Sequence, residues 1–175
     1  MLDTIRKSAA LRALSARLDA QVAARGRAPV FYAQLGVPDT IDGRFDMLAL
    51  HAAAALERIE ETGARDLAQA LIDAIFVSFD EGLRQLGAGD VGMSRRMKKM
   101  ASAFFGRMQA YRDARDTTSL EAVIARNIYR GAPSPHVAIL SAYVMSARAH
   151  LAKCDPAEGV LDFGSLPVSA KGASS

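Results

Sequence analysis

Gly87-Ala88-Gly89-Asp90-Val91-Gly92-Met93-Ser94-Arg95-Arg96-Met97-Lys98-Lys99-Met100-Ala101-Ser102-Ala103-Phe104-Phe105-Gly106-Arg107-Met108-Gln109-Ala110-Tyr111-Arg112 is the stretch on which the fold class turns. Its first six residues spell GxGxxG, which serves a dinucleotide only where a strand runs into it and a helix leaves it. Here the preceding apolar residues, Leu67, Leu71, Ile72, Ile75, Phe76, Phe79, Leu83 and Leu86, recur at helical steps. The glycines are therefore expected to end one helix and open the next, at positions that need positive φ. No strand pattern of convincing length appears elsewhere in the chain either, so the class is all-α.

The helix after the turn has two different sides. At 100° per residue Met93, Met97, Met100, Phe104, Met108 and Tyr111 fall within an arc of about 80°, with Arg95, Arg96, Lys98 and Lys99 fanned across the opposite half. Two readings of the apolar stripe stay open: ordinary core, or a methionine-lined groove for varied apolar partners. The basic side is free for a partner in either case.

Working outward, residues 64–87 carry the broadest apolar stripe and are expected to form the central core helix. Before them, Phe45, Leu48, Ala52, Ala55, Leu56 and Ile59 mark a helix over 43–62 that buries one face, and His51 on that face reads as a hydrogen-bonded core residue. Its start, Pro38 to Asp46, is densely punctuated. This is either a well-capped helix start or a polar patch offering Asp39, Arg44 and Asp46 to a partner. A short helical turn is expected around Val30 to Leu35. The first helix ends at Gly26 and carries Arg6, Lys7, Arg12 and Arg17 on one side, a face that is either solvated or set against anionic lipid.

Toward the other end, Asp116-Thr117-Thr118-Ser119 caps a helix bearing Leu120, Val123, Ile124 and Ile128, and Pro133 and Pro135 lead to a last helix with Val137, Leu140, Val144 and Leu151. The expectation is a single compact domain of about six or seven helices over 1–154, with an irregular tail over 155–175 pinned by Leu161 and Phe163.

Composition narrows the function. Of 175 residues, 50% are hydrophobic and 23% charged, and no apolar run approaches the length of a bilayer crossing. The net charge of +3 is too small to signal a nucleic-acid binder, and no specific DNA partner is expected. Cys154 is the sole cysteine, so no internal disulfide forms and a reducing, cytoplasmic location is the simpler one. His51, His136 and His150 are not spaced to chelate, the last two lying roughly 21 Å apart if one helix holds both. No nucleophile and base pair is visible, so neither an enzyme nor a metal or other cofactor is expected.

Two punctuated stretches, Gly36-Val37-Pro38-Asp39-Thr40-Ile41-Asp42-Gly43-Arg44-Phe45-Asp46-Met47 and Gly89 to Gly92 followed by Lys98 to Arg107, resemble the ubiquinol-cytochrome c chaperone family. Ala125-Arg126-Asn127-Ile128-Tyr129-Arg130-Gly131 strengthens the likeness, which runs from Phe31 to Tyr143. The resemblance implies an assembly factor for the cytochrome bc1 complex that binds newly made cytochrome b and carries no catalytic residue. Mitochondrial relatives work with a second small assembly factor and near the ribosome. Phe105 stands where relatives often have tyrosine.

On either reading of the stripe, the residues expected to meet a partner are Arg95, Arg96, Lys98, Lys99, Phe105, Arg107, Asp39, Arg44 and Asp46. Peripheral contact with the inner face of the cytoplasmic membrane fits the basic rim. The alternative is a ribosome- or RNA-binding factor using the basic face of the helix over 92–114, with steeply salt-dependent affinity.

Overall fold

The computed structural model describes residues 2–85 and 90–167. Within them the chain is all-α, with no strand. Its helices are α1 (Leu2–Gly26), the five-residue α2 (Pro29–Ala33), α3 (Ile41–Glu61), α4 (Arg65–Gln85), α5 (Asp90–Asp113), α6 (Thr117–Asn127) and α7 (Val137–Leu151). A single 3-10 turn, Pro156–Glu158, follows.

The helix at the centre is α3, where the stripe of 64–87 suggested α4. It packs against α1, α4, α5 and α7. Every residue from Ala49 to Leu56 is buried, so the expected single apolar face is in fact buried almost all round. Alanine explains this: a helix with Ala49 and Ala52 to Ala55 offers little side-chain bulk, and neighbours approach it closely from several directions.

The start of α3 is fixed by local chemistry. Thr40 caps it, its Oγ1 accepting from the Gly43 amide at 3.1 Å. Gly43 is required by packing, since a Cβ there would lie 1.9 Å from the Pro38 carbonyl oxygen. Gly63, at φ +77°, ends the helix and turns the chain into α4. At the next turn, Gly87 and Gly89 lie outside the described residues, as does Leu86. Gly92 does not take the positive φ expected of it, because α5 already begins at Asp90 and places it in the first helical turn.

Beyond Cys154 the chain is irregular, yet Leu161 and Phe163 are buried. Gln21 of α1 donates to the Gly159 carbonyl and accepts from the Leu161 amide, both at 2.9 Å. Arg25 donates to the Gly164 carbonyl at 2.7 Å. Residues 168–175 lie outside the described part. No described helix is long and apolar enough to cross a membrane.

Candidate functional site

The methionine stripe of α5 divides into two halves. Phe104, Met108 and Tyr111 are buried, so its C-terminal half is core. Met97 and Met100 are only half-buried, and no described side chain between Gly92 and Ala103 is buried. Met93's side chain lies outside the described part. The reason is positional: it is the later turns of α5 that meet α3, through Arg107 to Asp46 and Arg112 to Glu60.

There the two helices form a hairpin with an aromatic seam. Phe104 sits at its base, 5.5 Å from Phe76, 6.3 Å from Phe79 and 5.7 Å from Phe105 between ring centres. Phe76 and Phe105 meet at 5.9 Å. Phe105 remains 50% exposed, and Val77, which follows Phe76 on α4, 57% exposed. Arg95, Arg96, Lys98 and Lys99 are all exposed, and no described side chain pairs with them. The two helices thus present partly covered apolar surface and four cations that no described side chain neutralises.

Of the other expected partner-facing residues, Asp39 and Arg44 are at the surface, joined at 2.7 Å with more than half of each side chain exposed. Asp46 and Arg107 are not part of that patch. Asp46 is fully buried, its Oδ1 accepting from Arg107 Nε at 2.7 Å and its Oδ2 lying 2.6 Å from Arg130 Nη2. An aspartate near the start of a helix would ordinarily face water, but α5 crosses here and covers it. Burial pushes the Asp46 carboxyl above its usual range, while Arg107 and Arg130 pull it down. Arg107 is spent inside the fold, stacked 5.0 Å over the Phe45 ring. Arg130 holds its place at φ +56°, and apart from belonging to the Ala125–Gly131 motif it carries no sequence signal for this role.

A second buried polar chain joins α1, α3 and α7. Because the Met47 carbonyl can only accept, His51 Nδ1 donates to it at 2.7 Å, and Nε2 accepts from the Tyr143 hydroxyl at 2.8 Å. The Tyr143 oxygen accepts from Arg25 Nε at 2.8 Å. Burial lowers the His51 pKa to about 4, so the ring is neutral. The chain is a directional structural network with every partner satisfied. Among the described residues no group of three or more His, Cys, Asp or Glu could hold a metal ion.

Comparison with known proteins agrees with this architecture. The model of the family described as ubiquinol-cytochrome C chaperone matches residues 33–159. A solved structure, the Cbp3 homolog from Brucella abortus, superposes with a TM-score of 0.80 at 38% identity, covering 94% of this chain and 97% of that one. No curated protein matches by sequence.

Proposed function

The chain belongs to the ubiquinol-cytochrome c chaperone family, a family tied to assembly of the bc1 complex, and from that membership we propose that it holds newly made cytochrome b until its partner subunits join. The observation that carries this reading is the α4/α5 hairpin. An unassembled membrane protein exposes apolar helices, and the incompletely covered Phe76, Phe105, Val77, Met97 and Met100 of these two helices offer them adaptable apolar surface. Arg95, Arg96, Lys98 and Lys99 would face the anionic headgroups among which such a client sits, giving peripheral contact with the inner face of the membrane. Holding a client in this way needs no turnover and no cofactor.

A photoreactive amino acid placed at Phe105 in cells tests it, with Val160, 48% exposed and outside the hairpin, as control. Crosslinks to cytochrome b at position 105 and none at 160 are expected. The same four cations also favour a ribosome contact as second reading. Crosslinks from 105 to ribosomal protein or RNA without cytochrome b would replace the first reading with that one.

A further inference from the structure

Away from the hairpin, a cleft of about 560 Å³ opens between the end of α1, α2 and the segment leading into α3. It is lined by Arg27, Pro29, Tyr32, Ala33, Asp39 and Arg44, with no residue from α4 or α5. Its size is that of a ligand pocket.

The walls are fixed before anything enters. The Tyr32 hydroxyl donates to the Gly26 carbonyl at 2.7 Å, which sets the ring. Arg44 donates through Nε to Asp39 at 2.7 Å, and its terminal nitrogens have no partner among the described residues. The Thr40 cap and the close approach of Gly43 to Pro38 fix the segment that carries Asp39. The Arg27 side chain makes no hydrogen bond or ion pair with any described residue. Asp19 feels its charge, but that carboxylate is engaged by Ser78 at 2.6 Å. Arg27, Asp39 and Arg44 line the same cleft as Tyr32, so two guanidinium groups and one carboxylate share its walls.

We propose that this cleft docks a glutamate or aspartate side chain of an extended acidic segment on a partner protein, gripped by Arg27 and Arg44 against the Tyr32 ring. Two guanidinium groups against the Asp39 carboxylate leave one positive charge. That balances one carboxylate, forked onto guanidinium nitrogens, and leaves a doubly charged phosphate under-compensated. A peptide fits better than a small free acid because Pro29 and Ala33 set apolar wall beside the charges and the start of α3 adds an exposed apolar side chain, Ile41. That side chain is 60% exposed and lies three residues before Arg44, on the same helix face. An apolar residue flanking the acidic one would cover it.

The probe is a fluorescein-labelled peptide alternating glutamate and leucine, followed by anisotropy, with its glutamine counterpart as control. The glutamate peptide is expected to bind and the glutamine peptide not. Arg27→Gln, which removes a side chain with no hydrogen bond or ion pair among the described residues, should weaken binding about tenfold or more in a protein that still folds, the lost charge near Asp19 lowering the melting temperature only slightly. On the unaltered protein, amide shifts on titration should map to residues 27–33 and 39–44. Equal binding of both peptides, shifts confined to α5, full affinity in Arg27→Gln, or displacement of the peptide by millimolar inorganic phosphate would each overturn the proposal.

Discussion

Arg107 of α5 reaches the fully buried carboxylate of Asp46 in the first turns of α3, 2.7 Å away and 61 residues earlier in the chain. The pair fixes α5 against the central helix just below the point where the hairpin leaves the core. Removing one member strands the other, which is the costly way to break a buried ion pair. Arg107→Met should therefore cost about 2 to 4 kcal/mol, below the full penalty because the half-exposed Arg130 still touches Asp46. In an Asp46→Asn background the same change should cost clearly less. Urea denaturation of the four proteins measures the coupling, and simple additivity would mean that the pair is incidental to stability.

His51 sets a pH limit. Its folded pKa of about 4 lies below the ordinary 6.5, so below pH 6.5 the unfolded chain takes up a proton that the native ring refuses. Stability is fully present above that value and is lost as pH falls toward the folded pKa. Between about pH 6.5 and 4.5 the loss should reach about 2 to 3 kcal/mol. Tyr143 and Arg25 leave Nε2 no new acceptor for the added proton. The urea midpoint of the native sequence should drop over this window, and that of His51→Gln should stay nearly flat. Parallel curves for the two would show that the ring does not titrate in this way.

Much of the architecture was legible in the sequence because helical period is a local signal. The capped start of α3 within Pro38 to Asp46, the cap at Asp116, the end of α3 next to Gly63 and the buried place of His51 all follow from neighbours within a few residues. The misjudged centre has a physical cause. Periodicity weighs large apolar side chains, so α4 with its leucines and phenylalanines stood out, whereas α3 owes its centrality to the small size of its alanines. Asp46 was illegible for another reason: near the start of a helix an acid is normally explained by the helix dipole, and its true partners come from α5 and from the turn after α6. The split of the methionine stripe into core and open halves reflects which turns of α5 meet α3, a long-range pairing that no local pattern records.

The irregular segment after Cys154 contributes stability through a few anchors. Phe163 is buried and packs edge-on against His51 at 5.5 Å, with Arg25 holding the adjacent carbonyls. Phe163→Ala should cost about 3 kcal/mol or more. Leu166 is 41% exposed, so ending the chain after Ser165 should leave the melting temperature nearly unchanged. Thermal unfolding of the two variants separates anchor from tail, and a large drop on truncation alone would place a further anchor beyond Ser165.

The hairpin allows fold and capture to be separated within one helix. Exposed lysine and arginine side chains without partners contribute little to stability, so reversing Arg95, Arg96, Lys98 and Lys99 to glutamate should leave a folded protein that accumulates normally. Like charge at a surface built for anionic surroundings is penalised far more heavily. In cells lacking the native gene this variant should fail to restore cytochrome b and the assembled bc1 complex. Two single changes in the apolar stripe should then behave differently. Phe104→Ala, at a fully buried ring, should lower stability by about 3 to 5 kcal/mol and reduce the protein's own level. Met97→Ala, on the half-covered part, should spare stability and impair assembly. Immunoblots of the chaperone and of cytochrome b from the same cells read both effects together. Full bc1 assembly with the charge-reversed protein would remove the basic face from the mechanism, and normal bc1 levels in the deletion itself would remove the proposed function.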